Sequence, residues 1–194
     1  MHICFDIDGT LCEMGADLDF DDGDSILKHT RPNHAALKQL RQLMEAGCTV
    51  SFVTGRHEKV AWAPFRQLRL WLDRPNVAGI DILHRTFEPY EMMRCVVYKM
   101  DALRILNPDI YVGDLPMDQT AAAAAGVSFL PAEWFAKGHG IEHLVKPDYR
   151  PEWVRALGGL DADVPVPAAV DAGVRGRVVA PPVGNVEVAT GGKA

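Results

Sequence analysis

The chain opens with MHICFDIDGTLC (residues 1–12), an apolar run that ends in two alternating carboxylates and a glycine. Such a run predicts a buried strand. Successive side chains of a strand point to opposite faces, so Asp6 and Asp8 would share one face at its end. Gly9 permits a sharp turn, which Thr10 can cap. Two carboxylates held this close need a cation, a proton or a phosphate-bearing partner, although the pattern alone fits an ordinary strand-end turn equally well.

The composition favours one α/β domain that folds without disulfide or metal staples, since the chain has 194 residues of which 48% are hydrophobic. No apolar run approaches the roughly 20 residues that span a bilayer, and the N-terminus lacks a signal-peptide pattern, so we expect a cytoplasmic protein without a membrane partner. The net charge of −6 argues against a general nucleic-acid coat but leaves a local basic groove open. The four cysteines have no C-x-x-C spacing and are predicted to be reduced and mostly buried: Cys4, Cys12, Cys48 and Cys95.

Strand-like and helix-like segments alternate along the chain. We expect strands at 49–53, 79–83, 110–112 and 126–130, a β-prone run at 94–98, and helices at 33–45, 58–73, 100–106 and from 120. This alternation predicts a doubly wound (Rossmann-like) parallel sheet with helices on both faces. Ligands of such sheets bind at the carboxyl ends of the strands.

Two stretches fall outside this alternation. Residues 13–24 carry six acids and no basic residue, which predicts an exposed loop or short hairpin. A calcium loop starting at Asp17 is disfavoured, because Gly23 would be seventh instead of sixth and Lys28 would hold the glutamate position. From residue 158 the composition is Ala, Val, Gly and Pro without periodicity, so we expect a domain at 1–157 and a flexible tail at 158–194.

Four motifs follow one another along the chain. They are FDIDGT at 5–10, Thr54 after a predicted strand, Lys99 after the β-prone run, and GDLPMD at 113–118. Their order resembles the haloacid dehalogenase-like (HAD) phosphatase superfamily, whose motifs are D-x-D-G-T, a strand-end Ser or Thr, a Lys, and G-D-x-x-x-D. The resemblance covers about residues 1–135 and implies Mg²⁺-dependent hydrolysis of phosphate monoesters.

The resemblance also implies catalytic roles. Asp6 would attack phosphorus to form an aspartyl-phosphate, and Asp8 would protonate the leaving oxygen and then activate water. Thr54 would donate a hydrogen bond to the phosphoryl oxygens, and Lys99 would neutralise developing charge while pairing with Asp6. This chemistry is also expected on physical grounds, apart from the resemblance, because a carboxylate attacks an anionic phosphate only when a cation screens the repulsion.

The metal would be Mg²⁺, which prefers oxygen ligands. Asp6, the backbone carbonyl of Asp8 and Asp114 are the implied ligands. Asp118 would hold the ion through a water or orient Lys99.

Insert lengths bear on the substrate, because the segments 12–50 and 55–98 are too short for a large cap domain. In this superfamily an open site suits large substrates or is completed by a second copy of the chain. A weaker resemblance, to the phosphatase half of phage-type polynucleotide kinases, implies nucleotide or polynucleotide 3′-phosphate substrates. The candidate substrate-binding residues are Gly9, Thr10, Gly55, Arg56, Arg85 and Arg94.

Two other interpretations compete with that of an enzyme. One is a binding or signalling module that accepts phosphate without turnover, as receiver domains do, although receivers carry the phosphorylated Asp on a later strand. The other is a catalytically silent relative, which is disfavoured because no motif residue is missing.

Overall fold

The computed structural model describes residues 1–72, 80–88 and 90–139, so the predicted tail at 158–194 lies outside it. The described strands are β1 (His2–Phe5), β2 (Cys12–Met14), β3 (Thr30–Pro32), β4 (Thr49–His57), β5 (Ile82–Arg85), β6 (Ile110–Gly113) and β7 (Ser128–Pro131). The α-helices are α1 (Gly23–His29), α2 (His34–Glu45), α3 (Trp62–Trp71), α4 (Met92–Leu106), α5 (Pro116–Ala125) and α6 (Ala132–Ala136).

Five strands form a parallel sheet in the order β5-β4-β1-β6-β7. The central strand is β1, where Ile3 is in register with Val50 of β4 on one side and with Ile110 of β6 on the other. The chain adds β4 and β5 on one side of β1 and then adds β6 and β7 on the opposite side of β1. This places the reversal of strand order at the carboxyl end of β1, where doubly wound sheets bind ligands.

Side chains of β1 alternate between two buried cores. Ile3 and Phe5 pack in the core that holds α2, α3 and α6, whereas Cys4 packs in the core that holds α4 and α5. The same alternation occurs on β6, where Ile110 and Val112 belong to the first core and its tyrosine to the second. The period of two therefore covers both faces of the sheet with helices, and the predicted fold class is confirmed.

The β-prone run at 94–98 was predicted as extended, and that prediction is wrong. It lies inside α4, so Lys99 projects from the middle of a helix and does not follow a strand. Local β preference is a weak determinant when one helical face can be buried. That face consists of Cys95, Val96, Tyr98, Lys99, Ala102 and Leu103, at the spacing of a helix.

Several element bounds also differ from the prediction. Strand β4 continues from Val53 to His57, with an irregular register against β5 after Thr54. Helix α5 begins at Pro116, before the predicted start at 120, because proline fits the first turn of a helix and the Asp118 carboxylate accepts a hydrogen bond from the backbone N–H of Leu115.

Residues 12–32 form a small insert between β1 and α2. Its strands β2 and β3 pair antiparallel, and helix α1 lies between them. The loop or short hairpin predicted for 13–24 covers only the first of these strands, because its partner lies at 30–32. Helix α1 was not predicted. Its start is marked by Asp22, whose side chain accepts a hydrogen bond from the backbone N–H of Asp24.

The cysteines agree with their prediction. All four are free thiols, and three of them are buried. Within the described ranges, no helix is long and apolar enough to cross a membrane.

Candidate active site

Three charged side chains meet at the carboxyl end of the central strand. Asp6 directly follows β1 and is only 2% exposed. The ammonium group of Lys99, reaching across from α4, donates hydrogen bonds to Oδ1 of Asp6 at 3.0 Å and to Oδ1 of Asp118 at 2.6 Å. Lys99 is itself 3% exposed, so two carboxylates share one buried cation.

Asp118 is held firmly in the first turn of α5. Its Oδ1 accepts a second hydrogen bond, from the hydroxyl of Tyr111 at 3.0 Å, and its Oδ2 accepts one from the N–H of Leu115 at 3.1 Å. A Cβ on Gly113 would stand 2.6 Å from the Cβ of Asp118, so the glycine of this motif makes room for the aspartate. These contacts hold Asp118 where its carboxylate accepts the hydrogen bond from Lys99, and its predicted role stays a prediction.

The charged groups of this cluster strongly shift one another's pKa values. Burial raises the pKa of Asp6 well above its usual range, and the neighbouring carboxylates add to this while Lys99 opposes it. Burial acts to lower the pKa of Lys99, but the charges of Asp118 and Asp6 outweigh it and raise that pKa well above the usual value. Desolvation and the charge of Asp118 raise the pKa of Asp114 to about 6. Lys99 alone therefore does not offset the effects of burial and of the neighbouring carboxylates on Asp6 and Asp114.

This cluster fits a divalent cation. Carboxylate oxygens of Asp6, Asp114 and Asp118 lie within 4.8 Å of one another. When all three carboxylates are ionised beside one ammonium group, a divalent ion balances their two excess negative charges, and an all-oxygen set suits Mg²⁺. Because both oxygens of Asp118 already accept hydrogen bonds, Asp6 and Asp114 are the ligands available for direct contact.

Gly9 and Thr10 lie against Asp114. Gly9 has φ +77°, and a Cβ there would come within 2.1 Å of Oδ2 of Asp114. The hydroxyl of Thr10 donates to Oδ1 of the same carboxylate at 3.4 Å. The turn after β1 therefore positions a candidate metal ligand, and the substrate-binding role of both residues stays a prediction.

The side chain of Asp8 is bound by Arg56 and does not belong to the group formed by Asp6, Asp114 and Asp118. Nε of Arg56 lies 3.1 and 2.9 Å from the two carboxylate oxygens, and its Nη2 lies 2.6 Å from Oδ1. The hydroxyl of Thr54 donates to Oδ2 of Asp8 at 3.3 Å. The side chain of Asp8 is thus engaged by other groups, and the predicted metal contact of its backbone carbonyl stays a prediction.

Arg56 is fully buried and is itself held by Gln67. Its Nη1 donates to Oε1 of Gln67 at 2.7 Å, and the amide of Gln67 donates to the hydroxyl of Thr30 and to the carbonyl of Ile26. Asp8 is thus connected through two buried side chains to the insert. Gln67 was missed from the sequence, although a glutamine on the apolar face of α3 was a signal that could have found it.

The other predicted arginines are placed differently. Arg85 is buried, and its three nitrogens donate, at 2.6 Å each, to the carbonyls of Gly55 and Phe87 and to Oδ1 of Asp21. Arg94 is exposed and stacks over the ring of Phe87, with 4.5 Å from its guanidinium carbon to the ring centroid. The structure does not bring these arginines together with Arg56 into one basic groove, and their substrate-binding role stays a prediction.

A cavity of about 640 Å³ opens at this edge of the sheet. Asp6, Asp8 and Lys99 lie in its lining, and Gly55 and Arg85 also contribute. Its remaining lining comes from the insert, from Tyr90 and Cys95 at the start of α4, and from Leu115 and Met117 at the start of α5. A substrate in this cavity would contact both the acids and the insert.

No protein-family model matches this chain, and no match was found among curated proteins. Among solved structures, the chain is similar to D,D-heptose 1,7-bisphosphate phosphatase from B. bronchiseptica, complexed with magnesium and phosphate. The two chains are 20% identical, the match covers 66% of this chain and 78% of the other, and the TM-score is 0.50. The likeness shows a shared fold, in agreement with the parallel α/β sheet described above.

Proposed function

We propose that this protein is a Mg²⁺-dependent phosphomonoester hydrolase that acts through an aspartyl-phosphate on Asp6. The observation that carries the proposal is the ammonium group of Lys99, buried between Asp6 and Asp118 beside Asp114, at the carboxyl end of the central strand. The similarity to a phosphatase structure that contains magnesium and phosphate supports it.

The proposed reaction has two steps. In the first, a carboxylate oxygen of Asp6 attacks phosphorus, and the alcohol leaves with a proton from Asp8. In the second, Asp8 takes a proton from water, which attacks the same phosphorus and releases phosphate and free Asp6. Lys99 holds the Asp6 carboxylate in place throughout. A Mg²⁺ ion held by Asp6 and Asp114 would screen the charge of the phosphoryl oxygens.

The geometry around Asp8 fits a group that passes protons in both steps. Arg56 lies within hydrogen-bond distance of both carboxylate oxygens, and Thr54 lies 3.3 Å from Oδ2. These contacts hold the carboxyl group of Asp8 in a fixed orientation, which proton transfer to the leaving oxygen and from water requires. Candidate substrates are nucleotides and polynucleotide 3′-phosphates, and a cavity that opens to solvent beside these groups can admit them.

Release of phosphate from p-nitrophenyl phosphate and from a panel of nucleotides, sugar phosphates and 3′-phosphorylated oligonucleotides tests the proposal. We expect turnover with Mg²⁺, loss of turnover with EDTA, and recovery when Mg²⁺ is restored. Mass spectrometry of acid-quenched enzyme should find phosphate on Asp6. A protein that becomes phosphorylated but releases no phosphate would be the phosphate-accepting module instead, and a protein that does neither would be the silent relative.

The contact between Arg56 and Asp8 gives a second prediction. Arg56→Lys replaces a planar fork that contacts both carboxylate oxygens with a single ammonium group, so Asp8 should lose its fixed orientation. A poor leaving group needs a proton from Asp8, whereas p-nitrophenolate does not. We therefore expect kcat/KM to fall about 100-fold with an alkyl phosphate and much less with p-nitrophenyl phosphate.

The matched control for this prediction is Arg69→Lys, on the exposed side of α3. It should leave both rates unchanged. An equal loss for the two substrates in Arg56→Lys would mean that Arg56 only supports the fold.

A further inference from the structure

The cavity beside Asp6 has a predominantly apolar outer part. The insert contributes Met14, Leu18 and Phe20, and the opposite elements contribute Tyr90, Leu115 and Met117. Four of these side chains, the methionine at 14, the phenylalanine at 20, the tyrosine at 90 and the leucine at 115, are 39 to 52% exposed. Large apolar side chains that stay exposed around a concave site mark a surface for an apolar part of a ligand.

The ring of Tyr90 offers a flat surface that is held in place at this site. The guanidinium carbon of Arg85 lies 5.6 Å from the centroid of its ring, and its hydroxyl donates to the sulfur of Met117 at 3.9 Å. Phe20 supplies a second aromatic ring from the insert. Aromatic rings held at a binding surface favour planar ring ligands, which gain by stacking on them.

The charges in the lining oppose an additional anion. Asp19 and Asp21 belong to the lining. Arg85 already donates to Gly55, Phe87 and Asp21, and Lys99 is bound by two carboxylates. Among the described residues of this lining, every cationic side chain therefore has anionic or carbonyl partners. A second phosphate would meet carboxylates with no cation ready to receive it.

We propose that the cavity selects phosphomonoesters whose alcohol carries a flat, uncharged ring, the chemistry of a mononucleotide, and disfavours substrates that carry a second phosphate. This inference rests on the proposed function and narrows it. The ring would lie against Tyr90 and Phe20, and the single phosphate would lie at Asp6. Polynucleotide ends and bisphosphates are disfavoured by the carboxylates of Asp19 and Asp21.

Two substrate comparisons test the inference with the wild-type protein and Mg²⁺. Adenosine monophosphate, as the faster of its 3′ and 5′ isomers, is compared with ribose 5-phosphate, which lacks the ring. Adenosine monophosphate is also compared with adenosine 3′,5′-bisphosphate, which adds a second phosphate group. We expect kcat/KM to fall at least about tenfold in each comparison, as the loss of one stacked base predicts for the first.

Variants then assign the two effects to residues. Tyr90→Leu keeps an apolar side chain but removes the flat ring, so the preference for the nucleotide over ribose 5-phosphate should shrink about fivefold or more, and Tyr90→Phe should retain it. Leu70→Ala, at an exposed position on α3 outside the cavity lining, is the control and should leave the preference unchanged.

Asp21→Asn removes one wall carboxylate and leaves Arg85 with neutral hydrogen-bond acceptors in place of an ion pair. It should raise the rate with the bisphosphate relative to the monophosphate about fivefold or more, because the ion pair is broken and the wall loses a charge. Asp22→Asn is the matched control, since it removes the same charge one residue away while asparagine keeps the helix cap.

The outcomes separate this inference from the function on which it rests. Equal rates for the nucleotide and ribose 5-phosphate, or an unchanged ratio in Tyr90→Leu, overturn the ring subsite. Equal rates for the monophosphate and the bisphosphate, or an unchanged ratio in Asp21→Asn, overturn the exclusion of a second phosphate. In all of these cases the phosphatase activity itself stands. If the wild type hydrolyses neither p-nitrophenyl phosphate nor any nucleotide, the proposed function fails, and this inference fails with it.

Discussion

Asp6→Asn is expected to lower kcat at least about a thousandfold, because an amide oxygen is a far weaker nucleophile than a carboxylate. The same change should leave the fold intact. Burial and nearby carboxylates raise the pKa of Asp6 well above its usual range, so ionised Asp6 is unfavourable in the metal-free protein. A neutral amide of the same shape relieves this, and the free energy of unfolding without metal should stay equal or rise.

Mg²⁺ should reveal the difference between the two proteins. A ligand that binds the folded state raises the midpoint of thermal unfolding, so Mg²⁺ should stabilise the wild type and have little effect on Asp6→Asn. Phosphate release and thermal unfolding with and without Mg²⁺ measure both effects. Asp109→Asn, at an exposed position just before β6, is the control and should behave as wild type in activity and metal response. Turnover in Asp6→Asn close to the wild-type rate would sink the covalent mechanism.

The fold and the acidic part of the site could be predicted because their signals are local. The continuous apolar run of β1 places Asp6 at the strand's end, and the parallel order of strands brings the end of β6, with Asp114, to the same edge. Gly9 was assigned a turn from sequence, and its positive φ confirms that turn. Its second function, leaving space for the Asp114 carboxylate, required the structure.

The arginine partners of Asp8 and Asp21 could not be predicted, because they lie far from these acids along the chain. Arg56 reaches Asp8 across 48 residues, and Arg85 reaches Asp21 across 64. Each arginine looks like an ordinary surface charge in the sequence. The burial of their guanidinium groups and the several hydrogen-bond acceptors around them distinguish these two arginines from surface residues. Both properties follow from how the insert packs against the sheet. Lys99 shows the same limit in another way. Its position in the chain was identified, but the part of its helix at 94–98 was predicted as a β-prone run.

Lys99→Met should lower the stability of the metal-free protein by about 3 to 5 kcal/mol, the usual effect of breaking a buried ion pair by removing one partner. The ammonium group of Lys99 bridges Asp6 and Asp118, and both carboxyl groups are at most 2% exposed, so its loss leaves two buried acidic groups without their shared cation. Activity should fall at least about a thousandfold, because the nucleophile loses the group that holds it and offsets its charge. Chemical denaturation and phosphate release measure the two losses.

A double variant separates the structural from the chemical contribution of Lys99. Lys99→Met combined with Asp118→Asn removes a positive and a negative charge together, so the burial of unpaired charge is reduced. The double variant should regain a large part of the stability lost in Lys99→Met, as a negative coupling energy in the double-mutant cycle. It should stay inactive, because Asp6 still lacks the ammonium group. Activity that recovered in parallel with stability would show that Lys99 serves the fold alone, and the proposed reaction would then need another cation at Asp6.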